Sequence, residues 1–157
     1  MQIAEEFLNR AIELSRQGMM EGNGGPFGCV IVKDGKIIGE GHNEVLSSND
    51  PTAHAEVVAI RNACNNLGTF QLVGCDVYTS CEPCPMCLGA IYWARPSRVI
   101  YANSKADANA INFDDAFIYE EIEKPGNTRS IPFIHAPREE ALAVFLEWKH
   151  NTEKEEY

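Results

Sequence analysis

The chain has 157 residues, 45% of them apolar, which is enough for one domain with a sizeable core and too few for two ordinary domains. Its 13 basic and 23 acidic residues give a formal net charge of −10, which argues against a nucleic-acid partner, because that affinity comes mainly from Lys and Arg side chains that neutralise phosphates. No apolar run approaches the roughly 20 residues that span a bilayer, and the amino terminus is acidic where a secretory signal would be basic, so we expect a cytoplasmic protein with a small neutral substrate.

Helical and strand patterns alternate in the first half of the chain. The predicted elements here are a helix over residues 3–17, two strands over 27–32 and 36–41, and a helix over 51–67. Gly18 is expected to stop the first helix. The Asp-Gly pair at 34–35 predicts a tight turn, so the two strands should form a hairpin. Asp50 and Pro51 fit the cap and the first-turn proline of the second helix.

The second half of the chain continues this alternation. The predicted elements are strands over 75–80, 98–102 and 130–134, and helices over 83–94, 113–121 and 139–150. A strand, a helix and a further strand between residues 75 and 102 imply a crossover that joins two parallel strands. We therefore predict a single α/β domain over residues 1–157, in which a five-stranded mixed sheet is flanked by helices as an α/β/α arrangement of three layers.

The six cysteines do not require disulfides, because the chain lacks a secretory signal and has enough apolar residues to form a core. We expect reduced thiols. Cys29, Cys64 and Cys75 stand singly in apolar stretches, where a cysteine usually behaves as a small buried hydrophobe, and they need no special role.

Two predicted helix starts carry potential zinc ligands. Cys84 and Cys87 are three residues apart, so on a helix they share a face, and the helix dipole favours their thiolate forms. His54 and Glu56 are two residues apart, which turns their side chains about 200° from one another on a helix. These two side chains can therefore converge only on a metal that lies off the amino end. The spacing requires two helix starts that point at a common zinc ion.

Three protein ligands, His54, Cys84 and Cys87, leave the fourth tetrahedral position open, which is typical of a catalytic zinc site. Zinc lowers the pKa of a bound water from about 15.7 to roughly 7, so a nucleophile is present at neutral pH. We predict that Glu56 is the proton partner of this water, passing protons to a ring nitrogen and to the departing amine of the substrate. The pattern HxE followed by PCxxC is a described signature of zinc deaminases.

Two other interpretations of these residues stay open. Cys81 and Cys84 are also spaced CxxC, and a set of His54, Cys81, Cys84 and Cys87 would be a closed structural site. We favour the open site, because Cys81 precedes Pro83 at a strand end and need not reach the metal. The second alternative is a zinc-stabilised binding module without turnover. Glu56 argues against this alternative, because a purely structural site has no use for a carboxylate beside the metal.

These motifs resemble the cytidine deaminase superfamily and, within it, the short bacterial guanine deaminases. The resemblance runs nearly end to end. It is carried by GGPFG at 24–28, DPTAHAE at 50–56, TSCEPCPMCLGAIYWAR at 79–95, FDDAFIYEE at 113–121 and the terminal EEY. HAE and PCxxC do not choose among cytosine, cytidine, tRNA adenosine and guanine. The FDD segment and the terminal tyrosine favour guanine, and the acidic balance of the chain argues against tRNA.

The resemblance implies the hydrolysis of guanine to xanthine and ammonia, with one zinc ion per chain. It implies that Asp115 binds the guanine edge and assists proton transfer, although Asp114 and Asp115 would otherwise be a capping or solvated pair. It also implies that Asn43 and the Ala55 backbone amide contact the purine ring and that Phe27 and Trp93 form walls of the pocket. Tyr157 would close the site of a neighbouring subunit in a domain-swapped homodimer. From the residues alone, Asn43 would be a turn residue, Phe27 and Trp93 core residues, and Tyr157 a frayed chain end.

Overall fold

The computed structural model describes residues 3–157. Its strands are β1 (Gly28–Lys33), β2 (Lys36–His42), β3 (Cys75–Cys81) and β4 (Arg98–Asn103). Its α-helices are α1 (Glu5–Met20), α2 (Val45–Ser48), α3 (Ala55–Leu67), α4 (Pro85–Ala94), α5 (Lys105–Asn109), α6 (Ala116–Glu123) and α7 (Glu139–His150). The chain divides into two compact units, Met1–Ala116 and Phe117–Tyr157, which we describe separately. A single domain over 1–157 stays a prediction.

The sheet of the first unit is mixed and has four strands in the order β2-β1-β3-β4. The predicted hairpin is confirmed, since β1 pairs antiparallel with β2, and β3 pairs parallel with β4 across α4, as the crossover pattern implies. The prediction of five strands is wrong, because 130–134 forms no strand in the described chain. Pro132 cannot donate to a ladder, and Ser130 instead donates its backbone N–H to the Glu121 carboxylate.

The predicted three layers follow from the alternation of side chains along the central strand β1, which is buried on both faces. Cys29 and Ile31 point to one face, where they pack with alanines of α3 and α4. Val30 and Val32 point to the other face, where they pack with Leu14 of α1. Successive residues of a strand face opposite sides, so one strand contributes to two apolar clusters. The sheet therefore lies between α1 and the pair α3 and α4.

Two glycines of β2 set how closely α3 approaches the sheet. A Cβ on Gly41 would lie 2.6 Å from the Ala59 backbone nitrogen, and a Cβ on Gly39 would lie 2.6 Å from the Ala59 carbonyl oxygen. The helix backbone therefore rests directly on the strand. Asn62 and Asn66 fasten the same pair of elements, because their side-chain amides donate to β2 carbonyl oxygens at 2.9 Å. This packing fixes the position at which α3 begins.

Two predicted helix ends are wrong, and each error has a tertiary cause. Helix α1 continues past Gly18 to Met20, because this glycine makes room for the His42 ring, from which a Cβ would be only 2.7 Å away. Helix α3 begins at Ala55 and not at residue 51. Asp50 accepts from the backbone N–H of Thr52 at 2.8 Å, so it closes a turn before the helix.

The second unit has no buried residue among its described side chains. Helix α7 matches the predicted bounds, yet its large apolar side chains are 46–75% exposed: Leu142, Val144, Phe145, Leu146 and Trp148. Local contacts order residues 121–133, where the Arg129 guanidinium lies 4.7 Å from the centroid of the Phe133 ring. None of the helices in residues 3–157 combines the length and the apolar character required to span a bilayer.

Candidate active site

Two helix starts of the first unit bring the potential metal ligands together. His54 is the N-cap residue of α3, with φ −71° and ψ 154°, and Cys84 is the N-cap residue of α4, with φ −67° and ψ 168°. Both residues are extended, and neither side chain caps its own helix. An N-cap side chain usually accepts from first-turn amides. Here both side chains project off the helix ends toward a common point, together with Cys87 from the first turn of α4.

The distances within this cluster fit zinc. His54 Nδ1 lies 3.5 Å from Cys84 Sγ and 3.5 Å from Cys87 Sγ, and all three ligand atoms lie within 4.8 Å of one another. Zn–N and Zn–S bonds of about 2.0 and 2.3 Å at a tetrahedral angle separate nitrogen and sulfur by about 3.5 Å. The three donors therefore already stand at ligand spacing, and Nδ1 is the imidazole nitrogen that faces the thiols.

The electrostatics of the cluster also suit a divalent cation. The hydrogen bond from Cys87, aided by His54, lowers the pKa of Cys84 to about 4. The same sulfur–sulfur contact and burial raise the pKa of Cys87, while the contact with Cys84 raises the pKa of His54. The contact between the two sulfurs therefore favours the thiolate form at Cys84 and opposes it at Cys87. Zinc stabilises both residues as thiolates, which is the ligand form it requires.

Cys81 does not belong to this cluster. It ends β3, and its Sγ donates to the Ser104 carbonyl oxygen at 3.7 Å. Burial raises the pKa of its thiol to about 11, which opposes the ionisation that a metal ligand needs. Among the described residues, the group of possible ligands comprises His54, Cys84 and Cys87 without a fourth member.

Glu56 lies beside the cluster as a buried acid. Its side chain, one residue into α3, is 6% exposed, and its Oε1 accepts from the Thr79 hydroxyl at 3.1 Å. Burial raises the pKa of the Glu56 carboxyl, while hydrogen bonds from its own amide, from Cys87 and from Thr79 act in the opposite direction. A carboxyl group whose pKa is raised in this way is suited to taking up and releasing a proton.

Asp115 and Asp114 are neighbours with different surroundings. Asp114 is exposed, and its Oδ1 accepts from the Ala116 backbone N–H at 2.9 Å, as a capping residue does. Asp115 is half-buried. Desolvation raises the pKa of the Asp115 carboxyl, and the negative charge of Cys84 raises it further. The capping alternative therefore describes Asp114, and the role of Asp115 at the metal cluster stays a prediction.

Asn43 directly follows β2 and is hydrogen-bonded to Phe27, which precedes β1. Asn43 is 5% exposed, and its Oδ1 accepts from the Val45 backbone N–H at 3.2 Å, which leaves its amide hydrogens for another acceptor. Gly24 makes room for this side chain, because a Cβ there would lie 2.0 Å from Asn43 Oδ1. The Asn43 backbone N–H donates to the Phe27 carbonyl oxygen at 3.0 Å. Ala55 is fully buried at the first position of α3, where amides lack intrahelical partners.

Trp93 lies in the last turn of α4, and Tyr157 belongs to the second unit. Trp93 is 65% exposed near the end of α4, about 13 Å along the helix axis from Cys84. Tyr157 is 70% exposed in the second unit. Their roles as a pocket wall and as a closing residue stay predictions.

Sequence reasoning assigned no role to Phe113 or Thr79. The Phe113 ring packs edge-on against Phe27, with 4.9 Å between centroids, and so anchors the segment that carries Asp115. Gly25 permits this pair, because a Cβ there would lie 2.8 Å from Phe113 Cζ. Phe113 lies in the FDD motif and Phe27 in the GGPFG motif, but only the fold shows that the two motifs are in contact. Thr79 reads as an ordinary strand residue, and no local pattern indicates its bond to Glu56.

Comparison with known proteins agrees with this site. Residues 1–103, which include the whole metal cluster, match the family model described as the cytidine and deoxycytidylate deaminase zinc-binding region. The guanine deaminase of Bacillus subtilis (strain 168) is 59% identical over 153 residues, covering 98% of each chain. The tRNA-specific adenosine deaminase of Aquifex aeolicus (strain VF5) is 34% identical over 145 residues, covering 92% of each chain.

The fold is shared as well. The X-ray structure of guanine deaminase from Bacillus subtilis superposes with a TM-score of 0.96 at 58% identity, covering 99% of each chain. The four-stranded sheet and its flanking helices are thus those of a cytidine-deaminase-like protein, as the sequence resemblance implies. The chain belongs to the cytidine and deoxycytidylate deaminase zinc-binding family.

Proposed function

We propose that this enzyme is a zinc-dependent deaminase that hydrolyses guanine to xanthine and ammonia. The observation that carries the proposal is the convergence of His54, Cys84 and Cys87 at zinc-ligand spacing beside the buried carboxyl of Glu56. The choice of guanine is supported by 59% identity to a guanine deaminase along nearly the whole chain. A zinc-stabilised binding module would have no use for a buried acid at this position.

The proposed chemistry divides between the metal and the protein. His54, Cys84 and Cys87 would hold one zinc ion per chain, which supplies Lewis-acid activation of a water molecule. Glu56 takes a proton from that water and delivers it to a ring nitrogen of the base. Its burial excludes solvent that would otherwise compete for the proton. These three residues would hold the ion without Cys81, whose thiol is directed to the Ser104 carbonyl oxygen.

Asp115 and Asn43 would orient the base. Asp115 would accept a hydrogen bond from the guanine edge and share the proton transfer to the leaving amine, and the raised pKa of its half-buried carboxyl suits a group that exchanges a proton. Asn43 has its Oδ1 occupied by Val45, so it would offer an N–H donor to the purine ring. The Ala55 amide would add a second donor, and Phe27, backed by Phe113, one apolar wall. Trp93 is proposed as a further wall.

We also propose a cytoplasmic homodimer. The six described cysteines are all free thiols, which suits a reducing compartment. Helix α7 exposes Phe145 and Trp148 without burying any residue, and a second copy of this chain would cover them, with Tyr157 closing the site of that copy.

The dimer is tested by sedimentation velocity on Phe145→Glu. We expect the wild type to sediment as a dimer and this variant to shift toward monomer. Met20→Glu is the matched control, because it places the same charge at an equally exposed apolar residue of the first unit. A monomeric wild type would overturn the dimer, and so would a dimer that both variants leave intact.

The activity is tested by ammonia release from guanine, cytosine, adenine and a tRNA anticodon stem-loop, with zinc content measured on the same samples. We expect kcat/KM to be highest for guanine. Glu56→Gln should keep its zinc and lose about 10²- to 10⁴-fold in kcat, the usual contribution of a general acid–base. A preference for cytosine or for the tRNA would refute the substrate, and a zinc-loaded wild type that releases no ammonia would favour the binding module.

A further inference from the structure

Thr79 presents a buried hydroxyl on an otherwise apolar face of the sheet. It is 1% exposed and points to the same side of β3 as Val77, which packs in the cluster beneath α3. A hydroxyl in such surroundings is costly unless it is hydrogen-bonded. Its partner is the Oε1 atom of Glu56, at 3.1 Å. This buried contact spans 23 positions of the chain and joins the centre of the sheet to the acid of the site.

The single hydrogen of this hydroxyl is committed to Glu56. The other acceptor within reach is the Gly28 carbonyl oxygen, at 3.4 Å. The Glu56 oxygen is nearer, at 3.1 Å, so the hydroxyl hydrogen is directed to it. The backbone of Thr79 is itself fixed on both sides, because it pairs with Cys29 of β1 and with Tyr101 of β4. The hydroxyl is therefore held by the most rigid part of the sheet.

The terminal torsion of a glutamate is soft and roughly two-fold, so burial alone does not fix the direction of its two oxygens. Hydrogen bonds fix that direction: the Glu56 carboxyl also interacts with its own backbone amide and with Cys87, and Thr79 supplies the bond that comes from the sheet. We propose that Thr79 is a positioning residue that orients the Glu56 carboxyl for proton transfer, a role that rests on the proposed deaminase function. Proton transfer requires a donor–acceptor separation of roughly 2.6–3.2 Å. An enzyme with a rotated Glu56 carboxyl would therefore bind its substrate normally and turn it over slowly.

The test compares Thr79→Val, Thr79→Ser and Ser80→Ala with the zinc-loaded wild type. Thr79→Val keeps the shape of the side chain and removes the hydroxyl, and Thr79→Ser keeps the hydroxyl. Ser80→Ala is the matched control, because the adjacent Ser80 is also buried and its Oγ accepts from the Gly28 N–H at 3.0 Å without serving Glu56. It removes a comparable hydrogen bond from the same strand.

We expect Thr79→Val to lose about 10- to 100-fold in kcat with guanine, the usual effect of losing a partner that orients a reacting group, while KM and zinc content stay near wild type. Thr79→Ser should recover most of kcat, and Ser80→Ala should match the wild type. Thr79→Ala also lacks the hydroxyl and is smaller than valine, so it serves if the valine variant does not fold. It should lose as much kcat as Thr79→Val. Wild-type kcat in Thr79→Val would overturn the proposal, and so would an equal loss in Ser80→Ala or no recovery in Thr79→Ser.

A structural measurement separates this proposal from the proposed function. In the crystal structure of Thr79→Val we expect the Glu56 carboxyl to rotate about its terminal bond or to occupy two orientations. A single wild-type orientation would overturn the positioning role, whatever the substrate proves to be. Failure of the zinc-loaded wild type to release ammonia would refute the deaminase function and would leave this structural result to decide the role of Thr79.

Discussion

The two compact units differ most in what they bury. The first unit encloses two apolar clusters, one on each face of its sheet, and places a buried acid beside the metal ligands. The Phe117–Tyr157 unit buries no side chain of its own, although α7 carries some of the largest apolar residues in the chain. A segment of that composition gains little by folding alone.

This contrast separates chemistry from assembly. His54, Glu56, Cys84 and Asp115 all belong to the first unit, so metal binding and proton transfer should respond to changes there. The second unit contributes Tyr157 and an uncovered helix, so changes there should act on association and on closure of the site. A change in the second unit that removed zinc, or a change at the metal ligands that altered only association, would contradict this division of roles.

The largest effect is expected at the metal ligands. Cys84→Ser should lower zinc content from about one per chain to near zero and abolish activity, because two ligands rarely retain zinc. Cys81→Ser is its control, since that thiol bonds to the Ser104 carbonyl, and it should leave zinc content near one per chain. Metal analysis after dialysis measures both. Equal losses of zinc in the two variants would establish a closed four-ligand site.

The second largest effect is expected at the adjacent aspartates. Asp115→Asn should lower kcat/KM for guanine by about 10²-fold, the lower range for a group that shares proton transfer. Asp114→Asn is the matched control, because it makes the same chemical change at the exposed capping position. Steady-state kinetics on zinc-loaded protein decides between them. A larger loss in Asp114→Asn would return Asp115 to the status of a solvated residue.

A moderate effect on stability is expected at the contact of β2 with α3. Gly41→Ala should lower the free energy of unfolding by about 1–3 kcal/mol, because the new Cβ meets the helix backbone and no flexible side chain can move aside. Gly89→Ala in α4 is the control, since no atom lies within 4 Å of its Cβ, and it should raise stability by up to about 1 kcal/mol. Urea denaturation measures both; equal stabilities would mean that α3 does not rest on the strand.

The smallest effect is expected at the chain end. Deletion of Tyr157 should raise KM or slow turnover about fivefold, which corresponds to about 1 kcal/mol for one lost contact, and should leave zinc content unchanged. Kinetics and metal analysis of the truncated enzyme test this. Unchanged kinetics would count against closure of the site by the terminal residue, and loss of zinc would contradict the separation of the two units.

The convergence of His54, Cys84 and Cys87 and the order of the strands β1 to β4 could be predicted because their signals are local, whereas the short helix α2 was not predicted. Cys84 and Cys87 lie within one helical turn, and His54 precedes Glu56 by two residues, so the spacing itself indicates the chemistry. The crossover between parallel strands likewise follows from a strand, a helix and a strand in succession.

The errors concern residues whose meaning depends on distant partners. Gly18 resembles a helix stop, but its role is set by the His42 ring on β2. The apolar residues of 130–134 resemble a strand, yet Ser130 finds its partner in Glu121. Thr79 resembles any strand residue, and its bond to Glu56 appears only when α3 lies on the sheet. Pattern within a short window carries no information on such contacts.

The direct contact of Gly39 and Gly41 with the backbone of α3 limits how this enzyme can be engineered. Directed evolution often retunes a pocket by enlarging or trimming core residues, which shifts a helix by fractions of an ångström. Where glycine Cα atoms meet a helix backbone there is nothing to trim, and enlargement collides. Libraries aimed at other aminated heterocycles should therefore leave Gly39 and Gly41 untouched and vary the two loops that meet at Phe27 and Phe113.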